Sequence, residues 1–208
     1  MSIAEKFEVV ADEVYKRGKK AQHDEFWDTL QVNDTATDYQ YSFGGRCWND
    51  NTFKPKYELK GTRFLRCFAE SGIKTIEQTI NVEKCTSSTS LQNMFYNADI
   101  VTIREIKVSE NTAFDSTMFK GCEDLENLNM VGTIGKNGLD LTACTKLSKA
   151  SLLSVLNACN KEASGVTITL PSKCIDGKTT TKTYIGNDTE LNTALYAATA
   201  NGYTVVYG

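Results

Sequence analysis

The sequence predicts an α/β fold, in which a short repeat solenoid with a parallel sheet follows an N-terminal helical leader and ends in a C-terminal strand–helix–strand cap. Three observations predict this fold. Apolar residues near the start have helical spacing, short apolar motifs recur in the middle, and the last part alternates strand-like with helix-like segments. We therefore divide the chain into a leader over 1–32, an N-terminal cap over 33–62 and the solenoid with its C-terminal cap over 63–208.

The leader has one apolar face. Ile3, Phe7, Val10 and Val14 are spaced by four, three and four residues, which places them on one side of a helix. This face either docks on the rest of the chain as a cap or joins copies of the leader in a homo-oligomer. The spacing favours neither alternative.

The segment after the leader is rich in aromatic residues. Tyr39, Tyr41 and Phe43 alternate with polar residues, which predicts a half-buried strand, and Tyr57 and Leu59 alternate again. Together with Trp48 and Phe53, these aromatic side chains favour core or cap packing over a carbohydrate-binding or protein-binding platform. We expect the segment to cover the first repeat.

Two apolar motifs recur in the middle of the chain at intervals of 22 to 27 residues. One is an apolar pair before a turn, and it occurs as Cys67-Phe68, Met94-Phe95 and Met118-Phe119. The other has apolar residues at i and i+2, which face the same side of a strand, and it occurs as Ile80/Val82, Ile106/Val108 and Leu128/Met130. With Ile103 and Leu125 three residues earlier, the last two copies have the L-x-x-L-x-L pattern of leucine-rich repeats.

The end of the chain predicts a strand–helix–strand unit. Ser148 or Ser151 caps a helix, and a strand containing Val166, Ile168 and Leu170 follows. We expect an exposed loop over 174–186, then a helix from 187 and a last strand at 203–205.

One segment resembles a known repeat family. Phe119-Lys-Gly-Cys122-Glu-Asp-Leu125-Glu-Asn-Leu128 resembles the F-x-x-C-x-x-L-x-x-I pattern of BspA-like leucine-rich repeats. Segments 48–57 and 202–207 look like parts of the short phage- or prophage-encoded proteins of this type. The resemblance implies a leucine-rich-repeat solenoid that binds other molecules or has a structural role, such as adhesion or a place in a virion.

Composition excludes several classes of function. A net charge of −3 gives no electrostatic reason to expect a nucleic-acid partner. No run approaches the roughly 18 apolar residues of a membrane span, and no secretory signal is evident, so we expect synthesis in the cytoplasm with a virion as the further destination. The seven cysteines include no C-x-x-C pair, so we expect buried thiols instead of disulfides or a zinc site.

No catalytic, metal or cofactor site is expected. The single histidine, His23, lies beside Asp24 and Glu25, where a solvated role is favoured over a catalytic one. The glycine-rich segment 132–138 lacks phosphate-loop spacing and fits a turn between repeats. Turn formation is also favoured over calcium binding at 33–34 and 49–51.

The leader helix is the first candidate for an interaction surface, and the outward side of the strands is the second. This surface is polar, which suits recognition of another protein or a host surface more than turnover of a small molecule. The alternatives are a cytosolic protein–protein interaction module and an enzyme with a site grafted on the repeat fold. The expected outward residues are Thr79, Asn81, Glu105, Lys107, Asn127 and Asn129.

Overall fold

The structure is a computed structural model that describes residues 37–45, 52–55, 57–174 and 179–208. The leader helix predicted from Ile3, Phe7, Val10 and Val14 lies outside these residues.

The described chain forms two parallel sheets with helices near its C-terminal end, so the predicted α/β class with a parallel sheet is confirmed. The first sheet contains β1 (Thr52–Phe53), β2 (Leu59–Lys60), β3 (Thr75–Asn81), β4 (Thr102–Val108) and β5 (Asn127–Gly132). The second sheet contains β6 (Leu139–Asp140), β7 (Thr167–Leu170) and β8 (Thr204–Tyr207). The helices are α1 (Lys149–Asn157), α2 (Thr181–Asn187) and α3 (Thr189–Ala200), and a short 3-10 helix spans Ser88–Ser90.

The inward residues of the first sheet meet in register. Ile80 of β3 lies opposite Ile106 of β4, which lies opposite Met130 of β5. These side chains and their predicted inward neighbours are at most 4% exposed. Since β1 and β2 pair with β3, the segment predicted as an N-terminal cap extends the same sheet.

A column of phenylalanine rings runs beneath the turns that precede the strands. Phe43, Phe68, Phe95 and Phe119 stack with ring centroids 5.3, 5.4 and 5.3 Å apart. Backbone hydrogen bonds connect the same turns, as from Phe68 N–H to the carbonyl of Met94 at 2.8 Å. Each turn therefore rests on the next through both its backbone and its ring.

The strand predicted from Tyr39, Tyr41 and Phe43 is wrong. These residues form the first of the stacked turns, in which Tyr39 and Phe43 are buried while Tyr41 is 51% exposed with φ of 57°. Their N–H groups donate to carbonyls of the next turn, including that of Arg63. A strand would place all three aromatic side chains on one face, whereas this turn buries only Tyr39 and Phe43.

The C-terminal unit agrees with its prediction except at one helix. Ser148 is the N-cap of α1, and β7 and β8 are parallel with α3 between them. The loop predicted over 174–186 is partly wrong, because α2 begins at Thr181 after the N-cap Thr180. Thr181 and Thr183 weaken the helical signal of this segment, because β-branched residues have low helix propensity.

Helix α1 covers the free edge of β5. The Ser151 hydroxyl accepts a hydrogen bond from Leu128 N–H and donates one to the Glu126 carbonyl, both at 2.8 Å. Ser154 makes the corresponding pair of contacts with the backbone of Met130. Two serine hydroxyls thus occupy the places that another strand would take.

We predict that Phe95→Ala lowers the free energy of unfolding by about 3–5 kcal/mol, because it leaves a cavity between two stacked rings. Urea unfolding followed by circular dichroism measures this loss. The control Phe95→Leu should cost clearly less, since it retains most of the buried volume. Equal losses in the two variants would contradict the role given to buried volume between the rings.

Candidate binding face of the first sheet

The six predicted outward residues lie on three adjacent strands of the first sheet. Register places Thr79 beside Glu105, and Asn81 beside Lys107. The four side chains of β3 and β4 are half-buried, whereas those of β5 are exposed. We call this surface the sheet face and define it by Glu58, Thr79, Asn81, Glu105, Lys107, Asn127 and Asn129.

Two β-bulges set the alignment of the sheet face. The pairing shifts by one residue in β3 between Ile76 and Thr79, and again in β4 between Ile103 and Ile106. A bulge of this kind turns a strand locally and changes the aim of the following side chain. The two bulges come before Ile80 and Ile106, and both of these side chains are still buried in the core.

Side-chain hydrogen bonds hold both bulges. Gln78 accepts from Thr79 N–H at 2.9 Å and donates to the Pro55 carbonyl at 2.9 Å. The guanidinium of Arg104 donates to the Glu77 carbonyl at 3.0 Å. The irregular backbone beside the sheet face is therefore bonded by its neighbours.

Polar and charged side chains of β3, of β4 and of Glu58, which precedes β2, contact one another on the sheet face. Thr79 donates to a carboxylate oxygen of Glu105 at 3.1 Å. The ammonium of Lys107 lies 3.3 Å from Glu58 and 4.0 Å from Glu105. Because these side chains are only partly exposed, solvent screens their attraction less than it would at an open surface.

Sequence reasoning missed Glu58, although a signal for it was present. Tyr57 and Leu59 alternate, and Leu59 lies opposite the inward Ile80. The residue before Leu59 therefore belongs beside Thr79 on the outward side. Aligning Leu59 with the inward residue of the first repeat would have found it.

The β5 end of the sheet face is amide-rich. Asn127 donates to the Thr102 hydroxyl at 3.3 Å, and Asn129 accepts from Ser154 of α1 at 3.2 Å. Both amides are exposed and retain further hydrogen-bonding capacity. This end can both donate to and accept from a bound molecule.

A shallow cavity opens beside the sheet face. Its volume is about 120 Å³, which is below the roughly 300–1,000 Å³ of sites that enclose small molecules. It is lined by Thr37, Lys60, Gly61, Thr62, Asn81, Glu83 and Lys84.

The described cysteines are free buried thiols, as predicted, while Cys47 lies outside the described residues. Burial raises the pKa of Cys85, Cys122 and Cys159 to about 12. A nucleophilic cysteine requires the opposite shift. Within 37–45, 52–55, 57–174 and 179–208, no cluster of three or more histidine, cysteine or acidic residues could hold a metal ion.

The other sequence candidates for chemistry are placed as follows. His23 and the turn candidates at 33–34 and 49–51 lie outside the described residues. The glycine-rich segment connects the two sheets, and Gly132 has φ of 117° at its start. A Cβ atom there would lie 1.9 Å from the Val108 carbonyl oxygen, so close strand packing accounts for this glycine.

No family model matches the chain, and no curated protein or solved structure shows significant similarity to it. Among the described residues, no helix has both the length and the apolar character that crossing a membrane requires.

We predict that the six described thiols resist alkylation at pH 8 until the protein unfolds. The raised pKa also destabilises the fold in alkali, because unfolded thiols ionise near pH 9 while the buried ones remain protonated. Between pH 9 and 10, each buried thiol whose pKa is raised should lower the free energy of unfolding by about 1 kcal/mol, because the unfolded thiol goes from half to mostly ionised over this range. Urea unfolding across this range measures the slope, and Cys122→Ala should reduce it by one thiol's share. An unchanged slope would contradict the assignment.

Proposed function

We propose that the chain is a leucine-rich-repeat solenoid of the BspA-like type that acts as a non-catalytic structural or binding protein. The parallel register of Ile80, Ile106 and Met130 and the stacked phenylalanine rings support this class. One such unit cannot bury its apolar side alone, whereas stacked units share a core. The residues that carry the family resemblance, Phe119, Cys122, Leu125 and Leu128, are all buried in that core.

The sheet face is the proposed recognition surface for another protein or a host-surface ligand. The observation that carries this proposal is the charge arrangement in which Lys107 lies between Glu58 and Glu105, beside the exposed amides of β5. Groups held in place before binding lose little conformational entropy on binding. A shallow polar surface with ordered charges suits a macromolecular partner.

The family resemblance supports a phage- or prophage-encoded protein associated with a virion or its tail. In this proposal, the sheet face binds a neighbouring particle protein or the surface of the host. The first test is mass spectrometry of particles purified from the strain that encodes the chain. Stoichiometric amounts of the chain in the particles are expected, and their absence would contradict this assignment.

We predict that a photo-crosslinking amino acid at Asn129 attaches the full chain to one protein of purified particles or to a component of the host envelope. The same amino acid at Lys182, an exposed residue of α2, should attach to neither. The double variant Glu105→Gln/Lys107→Met should weaken binding about tenfold or more, because it removes the lysine charge and one of the two carboxylates from the face.

The crosslinking experiment also separates the proposal from its alternative. Equal crosslinking from both positions, or unchanged binding by the double variant, would exclude the sheet face as the recognition surface. A single cytosolic partner that attaches at Asn129, with nothing captured from particles or envelope, would indicate a cytosolic protein–protein interaction module. Circular dichroism of the double variant checks that the fold is retained.

A further inference from the structure

The two sheets differ at their C-terminal edges. The edge of β5 is covered by the hydroxyls of Ser151 and Ser154. In the second sheet, β8 pairs with β7 on one side, and no strand of the described chain pairs with its other side. An uncovered edge strand exposes backbone donors and acceptors to any strand that can approach.

Hydrogen bonds to β7 show which groups of β8 face outward. Thr204 N–H donates to the Val166 carbonyl and Gly208 N–H donates to the Leu170 carbonyl, both at 3.0 Å. Successive backbone groups along a strand point to opposite sides. The N–H and C=O groups of Val205 and Tyr207 therefore point away from β7, toward the open edge.

β8 also lacks the features that normally prevent edge pairing. Its register with β7 is continuous over four residues, without a bulge, and its sequence contains neither proline nor lysine. Indeed, no charged residue occurs from Leu191 to Gly208. Val206 is 39% exposed, and Tyr196 in the same uncharged segment is 68% exposed. The segment thus combines an open edge with exposed apolar side chains and no charge.

We propose that β8 pairs antiparallel with β8 of a second copy of this chain about a two-fold axis. Such an interface brings the same surface of two copies together, so a charge near the axis would meet its own copy. The uncharged segment avoids this repulsion, although each chain carries a net charge of −3. Valine and tyrosine side chains of one β8 then lie opposite valine and tyrosine side chains of the other. Such cross-strand pairs are favourable.

The test measures the mass of the full-length chain by size-exclusion chromatography with light scattering over a range of concentrations. The wild type should give about 46 kDa, twice the 23.0 kDa of one chain. Val206→Lys should raise the dimer dissociation constant about tenfold or more, because it places like charges on paired strands. The control Val131→Glu adds a charge at a valine of 42% exposure on β5, opposite Lys107 and on a strand whose edge is covered, and should remain dimeric.

A second variant and a second measurement keep the test decisive if Val206→Lys folds poorly. Thr204→Lys alters another exposed residue of β8 and should act in the same direction. Hydrogen exchange of the Val205 and Tyr207 amides should slow as the wild-type concentration rises, because pairing engages these groups.

Three results would overturn the proposal. One is a wild type that stays monomeric at all concentrations, and another is a dimer that survives both lysine substitutions. The third concerns the leader helix: a dimer abolished by Phe7→Glu but retained by Val206→Lys would place the contact in the leader instead of β8.

Discussion

Stacking of successive turns at the spacing of neighbouring strands is the constraint on which the rest of the structure depends. The phenylalanine rings lie 5.3–5.4 Å apart, close to the roughly 4.8 Å between paired strands, so rings and strands can advance together. Segments of turn and strand that differ in length still stack, because a β-bulge accommodates the extra residue. Paired residues are 27 apart at Ile76 and Ile103 but 26 apart at Ile80 and Ile106. A second bulge changes the interval from 25 to 24 before Met130.

This constraint also builds the candidate binding face. Because the inward isoleucines set the register, the residues between them fall into rows on the opposite side. Lys107 meets Glu58 across the intervening strand, although 49 residues separate them in sequence. The same packing that buries the core therefore orders the charges outside it. We connect this ordered surface with recognition of a large partner.

The last strands of the two sheets differ in whether other residues cover their outer edges. At β5 the chain supplies a helix whose serines satisfy the backbone, which prevents further growth of that sheet. At β8 the described chain supplies no such cover, and the sequence there is uncharged. Recognition through the sheet face and association through β8 would use strands of different sheets. The two activities can therefore be tested independently by substitutions on β4 and β8.

Local periodicity and capping were enough to predict the α/β class, the inward strand residues and a helix ahead of the last strand, which the structure begins at Thr189. The remaining features depend on contacts between residues that are far apart in the sequence. The turn at Tyr39–Phe43 looked like a strand because its stacking partners lie 25 residues away, beyond any local pattern. The bulges, the contact of Glu58 with Lys107 and the serine cover on β5 likewise depend on how one unit lies against the next. Local spacing sets which residues point inward. The alignment between neighbouring segments of turn and strand creates the sheet face and its edges, and it exists only after these segments have stacked.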